Sequence, residues 1–262
     1  MRTSSFLICI ASPVLHKMLC GSFSESKSKR LKLNDVDQRA FVQVMDLWCG
    51  RKDCLEVELG EVEQLASVAD QFQMTEVTSV LEEALMGQLS VELCGDVLMW
   101  SGGCGMRQLE AEARQMAVER FEEFARTAGF IRMGEEELGR VVDDDRLAAR
   151  TEETVWEAVV GWMRRAGGMK RGRGVTEKIR FPLMQEEYLR SHVAGMVDGE
   201  DGEWMERVVA EALRAKAARR KGEASVFELL GRKAREDRVG LGVRWEEYRE
   251  GGELRLEHMT SM

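Results

Sequence analysis

Apolar residues recur every three to four positions along most of this chain, and that period commits it to helices. From Asp37 to Cys49 the set Phe41, Val44, Met45 and Trp48 falls on one helical face; Asp37 suits the N-cap and Gly50 the position just past the end. Residues 61–72 repeat the pattern with Val62, Leu65, Val68, Ala69 and Phe72, and residues 77–89 with Val77, Val80, Leu81, Ala84 and Leu85. Two short segments alternate instead. Arg30-Leu31-Lys32-Leu33 and Leu55-Glu56-Val57-Glu58-Leu59 place apolar side chains on one face and charges on the other, the period of a half-buried strand. Residues 1–90 are therefore expected to be a mixed, helix-rich domain with short strands.

Beyond Ser90 the strand period disappears. Helices are expected over 91–101, 107–126, 134–142, 152–165, 185–196 and 203–218, a stack of short antiparallel helices, with one more at 224–235. The helix at 152–165 is the cleanest. Thr151 can cap it, Glu152 and Glu153 favour the positive end of its dipole, and Arg164 and Arg165 the negative end. Its apolar face is Val155, Trp156, Val159, Trp162 and Met163, and Gly167-Gly168 stops it.

Composition narrows the function by exclusion. The formal charge is −9 over 262 residues. It is evenly spread: 9 basic against 13 acidic residues over 1–90, 16 against 19 over 91–195, and 13 against 15 over 196–262. No segment has the net positive charge of a nucleic-acid-binding domain. No apolar run approaches the roughly 18 residues of a membrane span. The stretch Phe6–Ala11 is too short for a signal-peptide core, so a soluble, intracellular protein is expected. Six cysteines, at 9, 20, 49, 54, 94 and 104, form no C-x-x-C pair and read as free thiols behaving as small hydrophobes. Cys49 and Cys54 have the mutual spacing of zinc ligands, but no second pair follows, and the histidines are only His16, His192 and His258. No metal or other cofactor is expected.

The remaining motifs favour plain readings. Ser101-Gly102-Gly103-Cys104-Gly105 joins two helices rather than a strand to a helix, so it is an interhelical turn before it is a phosphate cradle. The basic patch at 170–174, with Lys178 and Arg180, lacks interleaved aromatics and reads as a solvated loop; the run at 214–221 is similar, a solvated helix end before it is a nuclear-import signal. Glu135-Glu136-Glu137 and Asp143-Asp144-Asp145 are consecutive acids pointing in different directions, hence surface rather than a general acid/base pair. The six tryptophans sit mostly at apolar helical positions and read as core. No hydrolytic triad can be assembled, and an enzyme is not expected.

The order of the motifs carries more than any one of them. Ala11-Ser12-Pro13-Val14-Leu15, Met18-Leu19, Gly21-Ser22-Phe23-Ser24-Glu25-Ser26, Leu31-Lys32-Leu33-Asn34-Asp35-Val36-Asp37, Ala40-Phe41, Leu55-Glu56-Val57 and Ala69-Asp70-Gln71-Phe72-Gln73-Met74 follow one another as in a BTB/POZ domain. Downstream, Glu153 with Val155-Trp156-Glu157-Ala158-Val159 and Trp162, then Ile179-Arg180-Phe181-Pro182-Leu183, resemble the two hallmarks of a BACK domain. The chain thus resembles the BTB–BACK group, best known from kelch-like proteins. The resemblance implies an α+β BTB/POZ-like domain over 1–90, an all-α BACK domain of helical hairpins over 91–216, and a charged, partly helical tail over 217–262; the whole is mainly α.

What the resemblance implies for function is specific. Many such proteins are substrate adaptors on a cullin-3 scaffold within a ubiquitin ligase, where the transfer chemistry belongs to other subunits. The scaffold contact uses a hydrophobic residue, any residue, then glutamate, just after the second helix of the BTB core. Phe23-Ser24-Glu25 stands at that place, with Phe23 as aromatic anchor and Glu25 fixing register. A turn with Phe23 in the core is the plainer alternative. The implied partners are cullin-3, an unidentified ubiquitination substrate and a second copy of the chain, with neither nucleic acid nor membrane among them; the implied location is the cytoplasm or the nucleus. The family's opening strands and first helix should precede residue 5, where only four residues stand, so either the gene model is truncated or a homodimer is expected to be weakened, and 217–262 is too short for a kelch propeller. The alternative function is a BTB–BACK assembly scaffold without cullin binding. A DNA-binding regulator ranks behind both.

Overall fold

A computed structural model describes residues 4–21, 31, 33, 35–50, 59–166, 172–194 and 200–221. The chain divides into two compact units, one formed by 1–90 with 97–113 and the other by 91–96 with 114–262.

In the first unit, α1 (Ser5–Ala11) and α2 (Pro13–Cys20) pack as a pair. Ser12 sits between them. Its hydroxyl accepts from the Leu15 amide and donates to the Phe72 carbonyl at 2.6 Å, so one buried side chain both caps α2 and ties it to the end of α4. Pro13 at the first helical position gives up an amide that would have no intrahelical partner. Helix α3 (Gln38–Trp48) starts as its sequence dictates: Asp37 accepts from the Ala40 amide at 2.8 Å, and Gly50 adopts φ +83° just past the end. It buries Val44, Met45 and Leu47, whereas Phe41 and Trp48 are only half-buried.

Helices α4 (Leu59–Gln71) and α5 (Thr75–Met86) complete the core of this unit with Leu65, Ala66, Ala69, Val77 and Leu81. Leu59, expected to end a strand, opens α4 instead. The helical repeat from Val62 to Phe72 buries its whole face, and the backbone extends that helix back through Gly60. The rest of the expected strands lies outside the described residues apart from Leu31 and Leu33, which are half-buried and in no regular element. Among the described residues there is no strand, and the molecule is mainly α.

Helix α4 closes in a Schellman turn. The Met74 amide reaches the Ala69 carbonyl, the Gln73 amide reaches Asp70, and Gln73 occupies the left-handed region at φ +53°. The glycine-rich segment repeats that geometry after the helix α6 (Val91–Trp100) and its 3-10 turn Gly102–Cys104: Met106 bonds to Ser101, Gly105 to Gly102, and Gly105 has φ +74°. The interhelical-turn reading therefore holds.

The expected helix over 107–126 is two. Helix α7 (Arg107–Glu119) ends at Arg120, and α8 (Phe121–Phe124) restarts, because Phe121 and Phe124 are both fully buried against Phe130 in edge-to-face contacts. Phe130 belongs to α9 (Ala128–Arg132), a short helix the periodicity did not indicate, capped by Thr127. Helix α10 is Glu135–Asp143, and α11 is Glu152–Ala166. Thr151 caps α11 as expected, and Val155, Trp156, Val159, Trp162 and Met163 are all buried. After α12 (Arg173–Thr176) and a 3-10 turn at Phe181–Leu183, α13 (Glu186–Tyr188) runs into a π-turn over Leu189–Val193, where a single α-helix was expected. The widened turn puts Leu189 and Val193 both in the core. Helix α14 spans Glu200–Arg220. The helix expected at 224–235 lies outside the described residues.

Candidate interaction site

Phe23 and Glu25 lie outside the described residues, so the site is built from the elements that bracket it. Cys20, the last residue of α2, stands three positions before Phe23, and Asp37 caps α3 twelve positions after Glu25. The start of α2 is anchored through Ser12, and Leu15 is fully buried. On α1 three apolar residues face outward: Phe6 is 70% exposed, Ile10 56% and Leu7 42%.

In the second unit the two sequence hallmarks prove to be one structure. Helix α11 carries three carboxylates that hold the later segment along its length. Glu152, with no exposed surface, accepts from the Arg180 amide at 2.9 Å; Glu153 accepts from the Gln185 amide at 2.7 Å; Glu157 accepts from the Tyr188 hydroxyl at 3.0 Å. Between these bonds Trp156 meets the Phe181 ring edge-on at 5.4 Å. Trp162 donates its indole N–H to the Met133 carbonyl, which joins α11 to the end of α9.

The acidic triplets lie at the surface as expected, with Glu135 and Glu136 exposed and the others half-buried, yet their carboxylates are engaged. Arg180, 2% exposed, donates to the Asp143 carbonyl and pairs with Asp145, while Lys178 pairs with the Asp143 carboxylate at 3.2 Å. Burying a guanidinium is costly without such acceptors, and here both bonds come from Nη2 alone. Glu135 accepts from the Gly174 amide, and Glu136 and Glu137 bind Arg140, with Glu137 also reaching Arg114. Sequence reasoning missed this network. The available signal was a charge, Arg180, inside the apolar run Ile179–Leu183.

Local chemistry follows burial. Desolvation, then the bond to Glu157, pushes the Tyr188 hydroxyl up to about 12; desolvation pushes the Cys94 thiol up to about 11. Arg150 on Glu122 and Arg146 on Asp144 hold those carboxyls below their ordinary range. Cys94 and Cys104 are buried as small hydrophobes, whereas Cys20 and Cys49 are exposed, contrary to that reading. Of the tryptophans, 156 and 162 are core, and 48, 100 and 204 are half-buried. Among the described residues no three potential ligands group to hold a metal ion, and no helix is long and apolar enough to cross a membrane.

Comparison with known proteins agrees with this architecture. The BTB/POZ domain model matches residues 1–89, and the BACK model (BTB And C-terminal Kelch) matches residues 94–194. Human Kelch-like protein 41 is 27% identical over 191 residues, covering 71% of this chain and 31% of that protein. Human Kelch-like protein 2 is 25% identical over 189 residues, covering 71% and 32%, and human Kelch-like protein 30 is 30% identical over 159 residues, covering 60% and 27%. The matched part thus spans about a third of the length of these relatives. A BTB match followed by a BACK match, with both BACK hallmarks engaged on α11, places the chain in the BTB–BACK group of kelch-like proteins.

Proposed function

We propose that the protein is a non-enzymatic adaptor that docks on a cullin-3 scaffold and presents a substrate for ubiquitin transfer by other subunits. The observation that carries this reading is the order of its parts: a BTB match with Phe23-Ser24-Glu25 just after α2, followed directly by a BACK match. Phe23 is assigned the buried anchor and Glu25 the rim contact. An aromatic anchor of that kind typically contributes on the order of 2 kcal/mol or more. A rim carboxylate contributes less and is screened by salt. Reconstitution tests the function. With neddylated cullin-3, its RING subunit, activating and conjugating enzymes and ubiquitin, the chain should itself be ubiquitylated, as a bound adaptor is in the absence of substrate. Phe23→Ala should strongly diminish the ladder; a wild-type chain that is folded yet unmodified contradicts the reading.

One observation favours a second reading, a scaffold that assembles through BTB and BACK without cullin. The face of α1 formed by Phe6, Leu7 and Ile10 is exposed and apolar, which suits self-association. Sedimentation across micromolar to nanomolar concentrations separates the two. A concentration-dependent oligomer that ignores cullin-3 supports the scaffold.

A further inference from the structure

The thiols of Cys9, on α1, and Cys20, at the end of α2, lie 3.9 Å apart. Cys9 is half-buried and Cys20 is exposed, so small molecules in solution can reach the pair; Cys94 and Cys104 are closed off in the core. A disulfide requires sulfurs about 2.05 Å apart, so the gap must shrink by roughly 2 Å, within reach of side-chain rotation. We propose that Cys9 and Cys20 are a reversible redox pair that closes into a disulfide across the α1–α2 pair when a low-molecular-weight disulfide such as oxidised glutathione is the oxidant.

The step balances by two exchanges. The Cys20 thiolate attacks one sulfur of glutathione disulfide, forms the Cys20–glutathione bond and releases one glutathione thiolate. Cys9 then loses its proton and attacks the Cys20 sulfur; the Cys9–Cys20 bond forms, and the second glutathione thiolate leaves and takes up a proton. Two protein thiols are oxidised, and one disulfide is reduced to two thiols. The order follows from access. Cys20 is the exposed sulfur, whereas desolvation and the neighbouring Cys20 keep the Cys9 thiol protonated beyond its usual range until the mixed disulfide stands beside it. Exposure also makes the bond reducible by the same couple, as expected of a regulatory rather than a structural disulfide. Cys20 stands three residues before Phe23, so an effect of the bond on the scaffold contact rests on the cullin reading above; formation of the bond does not.

The test uses the full reduced chain, equilibrated in oxidised and reduced glutathione at graded ratios, quenched by alkylation and mapped as non-reduced peptides. The Cys9 and Cys20 peptides should be joined, with a loss of about 2 Da, at ratios where Cys49 carries only a glutathione adduct. In Cys9→Ser the resolving thiol is gone, so the glutathione adduct on Cys20 should accumulate about tenfold above wild type. Recovery of Cys9 and Cys20 as separate adducts would overturn the proposal. So would pairing of either with Cys49, Cys54 or a second chain, or an unchanged Cys20 adduct in Cys9→Ser. None of these readouts depends on cullin binding.

Discussion

Trp156 and Trp162 are both almost wholly buried on α11, but they hold the core differently: Trp156 packs edge-on against Phe181, while Trp162 also donates a hydrogen bond to the Met133 carbonyl. Truncation of either to Ala is expected to cost about 3–5 kcal/mol in denaturant unfolding. Trp162→Phe should cost more than Trp156→Phe, because it leaves a buried carbonyl unsatisfied, a penalty of about 1–3 kcal/mol. Equal losses for the two Phe variants would count against the hydrogen bond. At Gly95 the expectation reverses a familiar rule. Ala ordinarily stabilises a helix interior by roughly 1 kcal/mol over Gly. Here a Cβ would stand 2.4 Å from the Gly129 carbonyl carbon and 2.7 Å from its Cα, both backbone atoms that cannot swing aside. Gly95→Ala should therefore lower stability by about 1–3 kcal/mol. The tryptophans were legible in the sequence because a helical period marks them. The Gly95–Gly129 approach was not, since it depends on two segments meeting that no local pattern connects.

Among the elements, α4 and the glycine-rich turn end in the same Schellman geometry, one with Gln73 and the other with Gly105 in the left-handed position. A side chain there is strained where glycine is not. Gln73→Gly should stabilise the first unit by about 0.5–1 kcal/mol, once the greater freedom of glycine in the unfolded chain is subtracted. A thermal melt shifted downward would contradict this. Ser12→Ala should act oppositely, losing both the cap on α2 and the bond to Phe72, for about 1–3 kcal/mol. Long amphipathic helices with sequence-visible caps, α3 and α11, were read nearly to the residue. The break at Arg120 and the π-turn at Leu189–Val193 were not legible, because buried Phe121, Phe124, Leu189 and Val193 set the backbone there through packing rather than propensity.

For the molecule as a whole, stability should fall at both ends of the pH scale, for separate reasons. Tyr188 and Cys94 hold their protons in the folded state to about 12 and about 11, against usual values of 10.0 and 9.0. The unfolded chain therefore releases protons first as pH rises, and their contribution, complete below pH 9, is lost through that alkaline window. Glu122 and Asp144 shift the other way. Their contribution is present above the ordinary carboxylate range and is lost as acid protonates the folded carboxyls. Melting temperature against pH checks both signs; a Tyr188→Phe variant that keeps the full alkaline decline would remove Tyr188 from the account. The family was legible at this scale because it resides in the order of core-facing motifs, whereas the Arg180 ion network needed the tertiary fold to bring Asp143 and Asp145 to it. Calorimetric titration of the folded chain with a purified cullin-3 N-terminal fragment decides between an adaptor and a scaffold without cullin. An adaptor should bind saturably, weakened more by Phe23→Ala than by Glu25→Ala with thermal stability unchanged; no heat at tens of micromolar, the range that corresponds to roughly 6 kcal/mol of binding free energy, would rule the adaptor out.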